Sequence, residues 1–127
     1  MNLTEYNFKG FLSRSYDGEH PIFGFIEKLP PLGNGVWLAG GSIRRAIQNS
    51  KVNESDFDIF FSGVEKMEAF AKALTESGFS KTRENDKNTT WKKEDIEVQL
   101  IHFQYFASVS ECLDSFDFTI CQLATDG

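Results

Sequence analysis

Apolar residues fall along this chain in short blocks with two distinct periods. In "HPIFGFIEKLPPLGNG", Ile22, Phe25, Ile26 and Leu29 recur at spacings of three and four, which predicts a short helix. Pro21 suits its first turn, Pro30 and Pro31 stop it, and Gly33-Asn34-Gly35 reads as a turn. "VWLAG" is continuously apolar and predicts a buried strand, "SIRRAIQN" a short helix, and "DFDIFF" the next strand. Ser62 and Glu65 match a capping box before the helix "VEKMEAFAKALTES", whose Val64, Met67, Phe70, Ala71 and Leu74 line one side. Gly78 is placed to end that helix. "FSKTR", "TTWKK" and "IEVQLIHF" then read as strands separated by the turns "ENDKN" and "ED". "SVSECLDSF" predicts a last helix, and "FTICQLA" a short strand or helix; the stretch from Met1 to Glu19 has too weak a period to assign. The order implies an α/β or α+β fold, with a small mixed, largely antiparallel sheet flanked by helices.

Composition narrows the class. The chain has 127 residues, 40% of them apolar and 25% charged, as expected for one globular domain over 1–127. Thirteen phenylalanines give a small core a large buried area per residue. No apolar run approaches the roughly 20 residues of a membrane-spanning helix. "MNLTEYNFKG" lacks the apolar core of a secretory signal, so the expected location is cytoplasmic. Cys112 and Cys121 form neither a disulfide framework nor a zinc pattern and read as buried or half-buried thiols. The formal net charge of −6 is not the basic balance of a protein that grips long nucleic acid through its phosphates. Small anionic ligands carried with Mg²⁺ remain compatible with it.

Two aspartates interrupt the apolar strand "DFDIFF". Alternation puts Asp56 and Asp58 on one face and Phe57, Ile59 and Phe61 on the other. On an exposed strand such a pair is an ordinary solvated face. Phe60 and Phe61 instead suggest a central strand, where two close carboxylates repel unless a cation lies between them. Two Mg²⁺ ions bridged by such a pair would suit in-line attack on phosphorus. Glu97, opposite in face to Ile96, Val98 and Leu100, is the candidate third carboxylate, although it could equally point into water from an edge strand. Gly40-Gly41 joins a strand to a helix, a place where backbone N–H groups can meet an anion. Ser42 adds a hydroxyl there, or is a plain N-cap; Arg44 adds a charge-assisted phosphate contact, or lies on a solvated helix face with Arg45.

Taken in order, "VWLAGGSIRR", "DFDIFF", "IEVQLIHF" and "LDSFDFTICQLATDG" resemble the head domain of class II tRNA nucleotidyltransferases and bacterial poly(A) polymerases, in the polymerase β-like nucleotidyltransferase superfamily. The resemblance implies metal-dependent transfer of a nucleoside monophosphate from an NTP to a hydroxyl of an RNA, protein or small-molecule acceptor. It implies that Asp56, Asp58 and Glu97 are catalytic and hold Mg²⁺ or Mn²⁺, and that Gly40, Gly41 and Arg44 hold the triphosphate, beside the hydroxyl of Ser42. Asp117 would contact the nucleotide sugar. Four positions depart from the family: Ser115-Phe116 replaces a pair of arginines, Cys121 an asparagine, and Arg45 an aspartate. The expectation is a domain without the neck and body that hold tRNA. The alternative is a degenerate head domain that binds a nucleotide or a protein without turnover.

Overall fold

The computed structural model describes residues 21–39, 57–94, 96–114 and 124–125. Their elements, in order, are α1 (Pro21–Glu27), β1 (Val36–Ala39), β2 (Phe57–Phe61), α2 (Val64–Glu76), β3 (Ser80–Glu84), β4 (Asn88–Lys93), β5 (Ile96–Ile101), α3 (Val109–Asp114) and β6 (Ala124–Thr125). The class is α+β, as the apolar pattern implies. Among the described residues the strands form one sheet in the order β3-β4-β5-β2-β1-β6. All neighbours are antiparallel except β2 and β5, which run parallel at its centre.

A parallel pair cannot be closed by a tight turn and needs a long crossover. Here the crossover carries α2 and the β3–β4 hairpin. In the parallel register Phe57 lies beside Val98 and Ile59 beside Leu100. These four side chains point to the same face, where Leu38, Phe61 and Ile96 join them in the main core. Helix α1 covers this face with Phe25, whose ring centroid is 5.6 Å from that of Phe57, and the turn after it adds Leu29. Helix α2 covers it with Phe70 and Leu74, and Phe70 meets Phe61 edge-on at 5.7 Å. The opposite face carries a smaller cluster of Ala39, Phe60, Ile101, Phe106 and Cys112, the last on α3. There the Phe106 N–H donates to the Phe61 carbonyl at 3.1 Å.

The two ends of α2 differ from each other. At its N-terminus the cap is Gly63, in extended backbone, with no side-chain cap bond. The expected Ser62–Glu65 capping box is therefore not formed. Ser62 lies one residue too early, and its N–H donates to the Gly35 carbonyl at 2.8 Å, which fastens the strand end to the preceding turn. Val64, expected on the apolar side, is 47% exposed, while Met67 and Ala71 pack on the core as expected. At the C-terminus Gly78 adopts φ +94°, donates to the Thr75 carbonyl at 3.1 Å, and lets the Phe79 N–H reach the Leu74 carbonyl at 2.9 Å. This is a Schellman motif, with Leu74 and Phe79 both buried as its apolar contact. Lys93 reinforces it, donating from Nζ to the Ser77 carbonyl at 2.7 Å with the ammonium 5.9 Å from the Phe79 ring centroid.

The turns follow the residues that specify them. Gly33, Asn34 and Gly35 all have positive φ, and Gly33 and Val36 exchange backbone bonds across the turn. In the β3–β4 hairpin, Asn85 Oδ1 accepts from the N–H groups of Lys87 and Asn88, at 2.8 and 3.0 Å. Glu94, at φ +54°, turns β4 into β5.

Gly35 and Gly78 both occupy the left-handed region, but only at Gly35 would a Cβ run into a neighbour, the Ser62 side chain. A Cβ at Gly78 meets Lys93 at ordinary contact distances, the nearest 3.6 Å. Gly78→Ala should therefore cost about 1–2 kcal/mol from backbone strain alone. Gly35→Ala should cost more. Adding Ser62→Ala should recover part of the difference, because the Ser62 Cβ still crowds the new methyl. Thermal melts of the three variants test this order.

Candidate functional site

The sheet face opposite the main core holds the described polar residues of the centre. Asp58 on β2 pairs with Gln99 on β5 and with Ala39 on β1. Glu97 lies two residues before Gln99 on the same strand and so shares its face. With ideal strand spacings, Asp58 and Glu97 are about 8 Å apart at Cα. On the far side of β5, Lys92 of β4 stands opposite Glu97, and Thr90 opposite Gln99. Asp58, Glu97 and Gln99 are half-buried, Thr90 is buried and Lys92 is exposed. The Oδ1 atom of Asp58 is itself shielded from solvent. The patch runs from charged and open at β4 to apolar at β1, where Trp37 and Ala39 meet the smaller cluster.

Asp58 and Glu97 thus lie on adjacent strands and on one face. Asp56, Gly40, Gly41, Ser42, Arg44 and Asp117 lie outside the described residues. Among the described residues no group of three or more His, Cys, Asp or Glu is placed to hold a metal ion. The donor set among the described residues is two carboxylates flanked by an amide and a lysine. No helix among the described residues is long and apolar enough to cross a membrane.

A family model described as Gabija anti-defense 2 family protein matches residues 2–127. The chain belongs to the Gabija anti-defense 2 family. It is also similar to a protein of Bacillus phage SPbetaL7 named Gabija anti-defense 2, with 32% identity over 93 residues. That stretch covers 73% of this chain and 23% of the relative, so the chain spans about a quarter of the relative's length.

Membership in the Gabija anti-defense 2 family corrects the expected kinship with tRNA nucleotidyltransferases and poly(A) polymerases. It equally corrects the functions drawn from that kinship, nucleotidyl transfer and a degenerate nucleotidyltransferase domain without turnover. The assignments as transferase, nucleotide-binding and magnesium protein go with them. The resemblance rested on short features that strand–turn–helix units reuse: a pair of glycines after a strand, and carboxylates on the polar side of a central strand. The Gabija anti-defense 2 match extends over nearly the whole chain and carries far more information than those motifs.

Strand β3 lies on the other side of β4 from the acidic patch. All five of its residues, Ser80 to Glu84, are exposed, and among the described residues it pairs with β4 alone. The signal was present in "SKTRE", a strand-like run without one large apolar side chain.

Two outcomes test this side of the sheet. Lys92 and Glu97 face each other across β4 and β5, so Glu97→Lys alone should destabilise the fold. The exchanged pair Glu97→Lys with Lys92→Glu should recover about 0.2–1 kcal/mol in a double-mutant cycle read by urea melts. Cys112 is fully buried, and burial pushes its thiol pKa up to about 12. An unfolded chain ionises this thiol near its ordinary value of 9.0 while the folded chain keeps it protonated, so stability falls as pH rises through that interval. Urea melts at pH 8 and pH 10 should show a smaller alkaline loss for Cys112→Ala than for the native chain. At pH 8 iodoacetamide should leave Cys112 unmodified until denaturant is added.

Proposed function

We propose that this chain counteracts Gabija defence by contacting a protein of that system directly. The observation that carries the reading is the family match over residues 2–127, supported by the similarity to the phage protein named Gabija anti-defense 2. The described structure is compatible with a contact role. It offers a sheet with a buried cluster on each face, and exposed positions on strand β3, at Val64 and at Phe103, which is 55% exposed.

The test is a plating experiment in bacteria that carry a Gabija system and restrict a sensitive phage. Expression of the chain should raise plating towards that on cells lacking the system, and tagged chain should recover a Gabija protein from the same cells. Unchanged restriction with the folded chain present at high level, and no Gabija protein recovered, would reject the reading for this chain.

A further inference from the structure

The charge of the chain is unevenly placed. Its formal net charge is −6, yet residues 80–93, the β3–β4 hairpin, hold five basic residues (Lys81, Arg83, Lys87, Lys92, Lys93) against two acidic ones (Glu84, Asp86), a net of +3. Strand β3 forms the edge of the sheet among the described residues, and every one of its residues is exposed. Its pairing with β4 shifts register between Lys81 and Arg83, where the Thr82 hydroxyl donates to the Thr90 carbonyl at 3.3 Å. The hairpin is held by its own bonds, with the Asn85 turn at one end and Lys93 tied to the Ser77 carbonyl at the other. It therefore presents a preformed edge.

Exposed lysines on an edge strand protect against indiscriminate pairing. They do so by repelling basic strands and by making burial under an apolar strand costly, and neither effect acts against an acidic strand. Pairing with a second copy of this chain is disfavoured because it would bring two edges carrying Lys81 and Arg83 together. The geometry points to β3 as a docking edge for an extended acidic segment of a partner protein, which adds to the sheet as a further strand. This inference rests on the reading of the chain as one that acts by contacting a protein. Main-chain bonds along the edge supply attachment. Arg83, on the Thr90 face, and Lys81, on the Trp91 face and 3.5 Å from Glu84 Oε2, select carboxylates on either face of the incoming strand. The attraction is of a kind that salt screens.

The test uses the whole chain, labelled for amide NMR, and three probes: a synthetic peptide alternating Glu with Thr and Val, the same peptide with Lys for Glu, and a short DNA duplex. The acidic peptide should shift amides of residues 80–84 and slow their hydrogen exchange, and the basic peptide should not. The variant Lys81→Glu/Arg83→Glu should weaken acidic-peptide binding roughly tenfold or more. A melting temperature close to the native one would show that the variant is folded. If it unfolds, Lys81→Gln/Arg83→Gln replaces it. Binding of the duplex with loss in the same variant, and no response to the acidic peptide, would overturn the inference in favour of nucleic acid. No response of residues 80–84 to any probe would also overturn it. The plating assay separates the two readings. A folded charge-reversed variant that still defeats Gabija defence removes the role of β3 and leaves the anti-defence function standing. Peptide binding at the edge by a native chain that never restores plating does the reverse.

Discussion

The parallel pairing of β2 with β5 is the constraint on which the described structure depends. It places Phe57 and Ile59 beside Val98 and Leu100, all almost completely buried, at the middle of the sheet. Because a parallel pair needs a crossover, the chain must leave the sheet after Phe61 and return before Ile96. The segment between those points supplies both the helix that covers the core and the hairpin that extends the sheet. The same pairing decides what the opposite face shows. Once the Phe57 face is buried, alternation turns Asp58, Glu97 and Gln99 to the other side. Side-chain period and crossover topology together explain why one sheet has an apolar side under two helices and a mixed side with a smaller core.

Much of this architecture was legible in the residues. Helix α1, the strand at Val36–Ala39, the central "FDIFF" strand, α2 and the three-strand meander all follow from apolar spacing and from Gly, Asn and Pro at the turns. Gly78 is the clearest instance, since one glycine after an amphipathic helix fixed both the stop and its left-handed backbone. The capping box was misread because Ser-x-x-Glu reports a spacing and not a hydrogen bond. In the folded chain the Ser62 N–H is committed to Gly35. Val64 was misread for a related reason, as the first turn of α2 lies beyond the edge of what the sheet covers.

The functional reading was less legible, and the cause is physical. Carboxylates on the polar face of a central strand, and a glycine pair between strand and helix, are compatible with phosphate chemistry. They are equally the products of alternation and of tight turns. Asp58 and Glu97 share a face because any two residues so placed on neighbouring strands must, whatever they do. Membership in the Gabija anti-defense 2 family therefore outweighs those motifs.

Strand β1 bears on how this sheet is assembled during synthesis. It is short and apolar, "VWLA", and it is flanked by β2 on one side and by β6, at Ala124–Thr125, on the other. The helix, hairpin and meander between residues 64 and 101 join neighbours in sequence and can close as soon as they leave the ribosome. β1 has to wait some 85 residues for its second partner, because Leu38 pairs with Thr125. Throughout that interval its backbone donors and acceptors and its apolar side chains present an open, sticky margin on a half-built sheet. Among the described strands, the one that waits longest for its second partner thus lies at the margin opposite the charged one.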